Sequence, residues 1–317
     1  MCAESSMRET YGKTLVELGR ENKDIVVLDA DLSLSTQTFM FAKEFPQRFF
    51  DCGIAEQNMM GIAAGLAASG KTAFVSTFAV FASSRCFDQV RWSIAQPRRN
   101  VKIVATHAGV TVGEDGASHQ AIEDLSLMCA LPGFTVICPA DAIETAYAVW
   151  SAAANPGPYY IRLPRLKSTL IYDEDYQFVK DKAMVMRDGK DATIIATGLM
   201  VERALRAADE LAKEDINVCV LNMHTIKPLD SKAVIKAARD TGAIVTVEEH
   251  VRQGGLGSRV AQIVAEYAPV PMAIIAIRDA YCSSGKPEEL LEQQGLTSAN
   301  IIEKTRALVQ KKPKSRR

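Results

Sequence analysis

Short runs of β-branched and aliphatic residues, at 25–28, 73–76, 101–105, 135–138 and 159–163, alternate with helix-length segments such as 87–96 and 142–154. Strands that are apolar throughout need cover on both faces, and parallel neighbours need a crossover connection of a dozen or more residues, so this alternation predicts a parallel sheet wrapped by helices. A polar, irregular stretch around Tyr172-Asp173-Glu174-Asp175 interrupts it. A second series then follows, with strands at 193–196, 218–221, 243–247 and 273–277 and helices near 201–213, 231–239 and 259–267. The expected fold class is α/β, with two doubly wound, mainly parallel-sheet domains at 1–170 and 191–317 and a linker at 171–190. The 317 residues, 48% of them hydrophobic, are enough for two cores.

Bulk properties exclude several classes. A formal charge of −1 gives no electrostatic case for nucleic acid. The seven cysteines are scattered and form no Cys-x-x-Cys pair, which speaks against a disulfide framework or zinc ribbon and for a reducing cytoplasm. The opening residues MCAESSMRE lack a hydrophobic signal core, and no apolar run approaches the roughly 20 residues that span a bilayer. The closing KKPKSRR is a basic tail to which no function is assigned. Gly254-Gly255-Leu256-Gly257 invites a dinucleotide-binding reading. Val260 stands where the third glycine belongs, however, and Glu248-Glu249-His250 intervene after the strand, so a close-packed helix start is expected instead.

Chemistry concentrates in the first domain. Gly53-Ile54-Ala55-Glu56-Gln57-Asn58 places one carboxylate between an apparent strand ending near Phe49-Phe50 and a small-residue, tightly packed helix over 59–68. A lone Glu in a first helical turn is commonly a cap. A buried, protonated carboxyl at a strand's carboxyl end can also donate to a ring nitrogen and change the tautomer of a heteroaromatic compound, as the aminopyrimidine of thiamine diphosphate requires. Phe78 and Phe81, in Ser76-Thr77-Phe78-Ala79-Val80-Phe81, suit either core packing or contact with such a ring. His107, Asp115 and His119 share one glycine-rich segment after a strand. They suit sugar hydroxyls, capping of a polar loop, or a His/Asp/His metal site of a hydrolase. Arg165, closing Ile161-Arg162-Leu163-Pro164-Arg165, suits a phosphate or a surface ion pair.

Taken together, these residues resemble the pyrimidine-binding and C-terminal domains of transketolase. Gly-Ile-Ala-Glu56-Gln is similar to the motif of the cofactor-activating glutamate, and Ser-Thr-Phe78-x-x-Phe81 to the pyrimidine-stacking segment. Thr-His107 followed by Gly-Glu-Asp115-Gly-x-x-His119-Gln is similar to the donor-ketose segment. The resemblance implies catalytic roles for Glu56, His107 and His119, and cofactor contacts from Glu56, Phe78, Phe81, Asp31 and Ile54. It implies substrate contacts from Arg8, Ser35, His107, Asp115, His119 and Arg165. One departure stands out: Ser84 replaces a third aromatic expected three residues past Phe81. The implied activity is transfer of a two-carbon ketol unit from a ketose phosphate to an aldose phosphate through thiamine diphosphate, by default in pentose phosphate metabolism. The Gly-Asp-Gly motif of the family's diphosphate-binding domain is absent. The resemblance therefore implies a separate N-terminal transketolase subunit that bears it, with Mg2+ (or Ca2+) held by that partner and an α2β2 assembly. The competing readings are a β subunit of a 2-oxo-acid or acetoin dehydrogenase, against which His107 argues, the metal-dependent hydrolase, and a catalytically silent regulatory or scaffolding relative, against which the retention of Glu56, both histidines and Arg165 argues.

Overall fold

The computed structural model describes residues 4–173 and 175–312. The first sheet has seven strands in the spatial order Thr225–Lys227, Thr135–Ile137, Tyr159–Arg162, Val101–Thr106, Thr72–Phe78, Ile25–Asp29 and Phe49–Asp51. All pairs are parallel except the first, which is antiparallel. The central strands are buried along their whole length, as apolar runs predict for a sheet covered on both faces. Val27, Phe74, Val104 and Ile161 pack against helices Met7–Glu21 and Ala142–Ala154, whereas Leu28, Val75, Ile103 and Tyr160 face the opposite layer with Met59 and Met60.

The second sheet runs Met272–Ile277, Ile244–Val251, Ala192–Ala196, Val218–Asn222 and Met184–Arg187, parallel except at its last edge. Two strands depart from the expected organisation. Met184–Arg187, inside the segment read as linker, pairs antiparallel with Val218–Asn222. Thr225–Lys227, from the second half of the chain, completes the first sheet beside Thr135–Ile137. The two halves thus share a sheet edge. A small ladder of Glu4–Ser5 with Ser168–Thr169 also closes the ends of the first domain on each other.

Two helices differ from expectation. Residues 87–96 form a short turn, Phe87–Gln89, that passes into the wider coil Val90–Ala95. The helix read as tightly packed over 59–68 spans Glu56–Ala68 and buries only one face, through Glu56, Met59, Met60, Ala63 and Ala64. Gly61, Ile62 and Gly65 face outward, and a Cβ on either glycine would meet nothing within 4 Å. The Gly254–Gly257 loop is a close-packed helix start, as expected. Glu248 accepts from the backbone N–H groups of Leu256 and Gly257 at 2.6 and 2.7 Å, so a protein carboxylate already occupies the helix N-terminus that a dinucleotide phosphate would need. Burial raises the Glu248 pKa to about 7, and those two donors hold it down.

Candidate active site

Because the first sheet is parallel, its strands end on one edge at Asp29, Asp51, Phe78, Thr106 and Arg162. The winding reverses between Ile25–Asp29 and Thr72–Phe78, which opens a crevice of the kind that binds ligands in such sheets. These strand ends and the segments that follow them carry every candidate residue of the first domain but Arg8.

Glu56 is the first residue of its helix and is 1% exposed. Both carboxylate oxygens accept from Arg85 Nη1, at 2.8 and 2.9 Å. The same guanidinium lies 4.2 Å from the centroid of the Phe81 ring, so acid, cation and aromatic face form one unit. Arg85 was not singled out from sequence. The available signal was a cation four residues after Phe81, directly following Ser84, where the expected aromatic is missing; Ser84 is exposed and donates to Val80 O at 2.5 Å.

Phe78 and Phe81 stand 5.9 Å apart with their planes 12° from parallel. His107 stacks on Phe78 at 3.8 Å, and His119 meets the two rings edge-on at 6.2 and 5.4 Å. The pair therefore packs with the two histidines at the crevice. His107 follows its strand with φ +59°, in the left-handed region, and its Nδ1 bonds Thr106 Oγ1 at 2.9 Å. Burial, with the Arg8, Arg165 and His119 charges adding to it, pushes the His107 pKa down to about 3. The ring is consequently neutral at physiological pH and can accept at one nitrogen while donating at the other. An NMR titration of the isolated chain should show no protonation of His107 above about pH 4, against the usual 6.5. Since the folded value lies below the unfolded one, the associated stability is complete above pH 6.5 and is lost as the pH falls toward 3. A His107 midpoint between pH 6 and 7 would contradict this environment.

Arg8, Ser35, Arg165 and Asp115 converge beside this ring cluster. Asp29 fixes the turn that holds Ser35, accepting from Leu32 N at 2.7 Å, Thr36 Oγ1 at 2.7 Å and Thr38 Oγ1 at 2.8 Å. Arg8 donates to Ser35 O at 2.6 Å and to Arg165 O at 3.1 Å. Arg165 donates to Val112 O at 2.6 Å and approaches Glu114 at 3.5 Å and Asp115 at 3.8 Å. Burial, and then the adjacent Arg165 charge, lower the Arg8 pKa from the usual guanidinium value. Two cations brought together against desolvation favour an anion between them. The long, exposed contacts of Arg165 with Glu114 and Asp115 are the kind that stabilise a fold by only about 0–1 kcal/mol. Asp31, with φ +60°, and Ile54, 77% exposed, sit at the rim on loops joined by Asp51, whose Oδ1 accepts from Asp31 N at 3.1 Å and Gly53 N at 3.0 Å.

Among the described residues, no group of three or more His, Cys, Asp or Glu side chains could hold a metal ion. His107 and His119 face Phe78 instead, which leaves the hydrolase reading without a ligand set. A thiamine pyrimidine needs a carboxyl partner and an aromatic wall, and Glu56, Phe78 and Phe81 are of the residue types that could provide them. The residues present fit that half of the cofactor.

Comparison with known proteins agrees with this geometry. Residues 3–169 match the pyrimidine-binding domain of transketolase and residues 181–301 match its C-terminal domain. The chain is 48% identical over 301 residues to a putative transketolase C-terminal section of Methanocaldococcus jannaschii, covering 94% of each. It is 42% identical over 306 residues to the 6-deoxy-6-sulfo-D-fructose transketolase subunit SqwH of Clostridium sp. strain MSTE9, covering 96% of this chain and 95% of that protein. A solved split-gene transketolase, an inactive β4 tetramer, superposes with a TM-score of 0.90 at 48% identity, over 98% of this chain and 100% of that one. Neither the dehydrogenase nor the hydrolase reading is favoured by these matches. With both domain matches in order and a relative at 48% identity over 94% of its length, the chain belongs to the transketolase family and carries its pyrimidine-binding and C-terminal domains.

Proposed function

We propose that this chain is the C-terminal subunit of a split transketolase, which transfers a two-carbon ketol unit from a ketose phosphate to an aldose phosphate when joined to a subunit bearing Gly-Asp-Gly. The observation that carries the reading is the convergence in one crevice of the Glu56–Phe81 unit, the neutral His107 and the Arg8–Arg165 pair. The near-full-length match to proteins named as transketolase sections or subunits supports the division into two chains.

Thiamine diphosphate, when bound, supplies a nucleophilic carbon and an electron sink for the two-carbon unit. Glu56 would hold a proton at a pyrimidine ring nitrogen, and its burial would keep water from competing for it. His107, stacked on Phe78 and already neutral, hydrogen-bonds the donor's oxygens without a protonation step, and His119 shuttles a proton at the same end. Asp115 accepts from a donor hydroxyl. Arg8 and Arg165 clamp the distal phosphate beside Ser35. Asp31 and Ile54 border the cofactor at the rim. Mg2+ (or Ca2+) and the diphosphate belong to the partner subunit.

The outward face of Glu56–Ala68, with Gly61, Gly65 and the exposed Ile62, supports self-association of two copies in an α2β2 heterotetramer, since small residues let helices approach closely. Among the described residues no helix is long and apolar enough to cross a membrane. A cytoplasmic location is part of the proposal and rests on the scattered, unpaired cysteines. Pentose phosphate metabolism is the default pathway. The experiment combines this chain with its Gly-Asp-Gly-bearing partner, thiamine diphosphate and Mg2+, and assays ketol transfer from xylulose 5-phosphate and related ketose phosphates. Transfer that requires both chains is expected. Turnover of pyruvate with a lipoyl acceptor, and none of sugar phosphates, would overturn the reading.

A further inference from the structure

The segment carrying His107, Asp115 and His119 belongs to the first domain but rests on the second. Gly109, Gly113 and Gly116 all have positive φ, at +81°, +84° and +75°. A Cβ at these positions would lie 2.1 Å from Glu249 Oε1, 3.2 Å from Pro287 Cγ and 2.3 Å from Ser284 Oγ respectively. Turn geometry alone does not require this, because at Gly53 and Gly70, also of positive φ, a Cβ would meet nothing within 4 Å. Between these glycines, Glu249 Oε1 accepts from Thr111 N at 2.8 Å, across 138 positions of sequence. Gln120 Nε2 donates to Ser283 O at 3.1 Å, closing the far end of the segment on the second domain.

Glu249 is itself held firmly. It lies on the strand Ile244–Val251, is 4% exposed, and its carbonyl accepts from Arg162 Nη2 at 2.9 Å. Val251 N donates to Ile122 O at 2.8 Å, so the strand is tied to the first domain at the acidic residue itself and two residues beyond it. Burial raises the Glu249 pKa, with the nearby Arg162 charge opposing it. Thr111 is the second residue of the 3-10 turn Val110–Asp115, which has no side-chain cap from its own segment, so the buried carboxyl of Glu249 caps that turn from another domain, four residues before Asp115.

Building on the transketolase reading above, we infer that Glu249 is a positioning residue for the donor sugar: by holding the backbone at Thr111 it fixes the loop that presents Asp115 and His119 to the ketose. The C-terminal domain then takes part in catalysis without touching substrate. A displacement of the order of 1 Å in a substrate-orienting group costs about 100-fold in rate, so a single buried contact suffices for a large effect.

The test compares Glu249→Ala with Glu249→Gln in the assembled complex, and follows amide exchange of segment 108–116 in the isolated chain. Glu249→Ala should raise the donor KM about 10-fold and lower kcat/KM for the donor about 100-fold, leaving acceptor KM and thiamine diphosphate affinity within about twofold. Glu249→Gln keeps an oxygen for the Thr111 N–H and should stay within about threefold of wild type. Exchange over 108–116 should rise at least about tenfold in the alanine variant alone. Should the alanine variant fail to assemble, Glu249→Asp withdraws the acceptor by about 1.5 Å and is read in the same way. Unchanged donor KM and unchanged exchange would overturn the inference. So would a parallel loss of thiamine diphosphate affinity with exchange raised throughout the chain, which indicates general damage. Absence of ketol transfer in the wild-type complex would instead sink the functional reading, and the exchange data would still judge the brace.

Discussion

Glu56→Gln should lower ketol transfer by the proposed complex about 10² to 10⁴-fold, the range over which a positioned proton donor contributes, while the fold is expected to survive. Glutamine matches the shape of the carboxyl and can keep a hydrogen bond to Arg85, whose Nη1 now meets both Glu56 oxygens at 2.8 and 2.9 Å. It has no acidic proton to hold at the pyrimidine. The loss should fall on kcat, with donor KM little changed, because in the proposed function the sugar is bound by His107, Asp115 and Arg165 and not by this side chain. Steady-state kinetics with circular dichroism as the folding control decide the matter. A variant with activity within about twofold of wild type would remove Glu56 from the mechanism.

Asp124→Ala is expected to have the largest effect on stability, a loss of about 3–5 kcal/mol, because it strands a buried cation. Asp124 is the first residue of helix Asp124–Ala130, and its Oδ2 accepts from Arg162 Nε at 2.9 Å and Tyr160 Oη at 2.7 Å. The side chains of Arg162 and Asp124 are 6% and 0% exposed. Arg162 goes on to the carbonyls of Ala121 and Glu249, so its charge also sits at the junction of the two domains. Without the carboxylate, the guanidinium keeps only carbonyl partners. Asp124→Asn retains an acceptor and should lose less. Urea unfolding midpoints of the three proteins test this, and a loss below about 1 kcal/mol for the alanine variant would show that water relieves the buried charge.

The local part of this structure was readable because it is governed by local rules. The apolar runs at 25–28, 73–76 and 101–105 can satisfy themselves only as covered parallel strands, and each lies within the observed strands. The start of Glu56–Ala68 and the helix start after Gly254-Gly255 were likewise marked by their own residues. What stayed hidden depends on distant partners. Thr225–Lys227 is three residues long and becomes a strand only because Thr135–Ile137 has a free edge. The outward face of Gly61 and Gly65 carries no pattern that distinguishes it from a buried small-residue helix. At the site, the residues named from the motifs gather in one crevice, with Asp31 and Ile54 at its rim, but the contacts that organise it were not in the motifs. Arg85 reaches Glu56 across 29 positions, and Glu249 reaches Thr111 across 138.

The central claim is that this chain supplies one half of a thiamine diphosphate site, and the most direct measurement is native mass spectrometry of the protein purified from its source cells. The account predicts equal amounts of this chain and a second chain bearing Gly-Asp-Gly, two copies of each, with thiamine diphosphate bound. Recovery of this chain without such a partner, carrying tightly bound zinc in place of thiamine diphosphate, would contradict it.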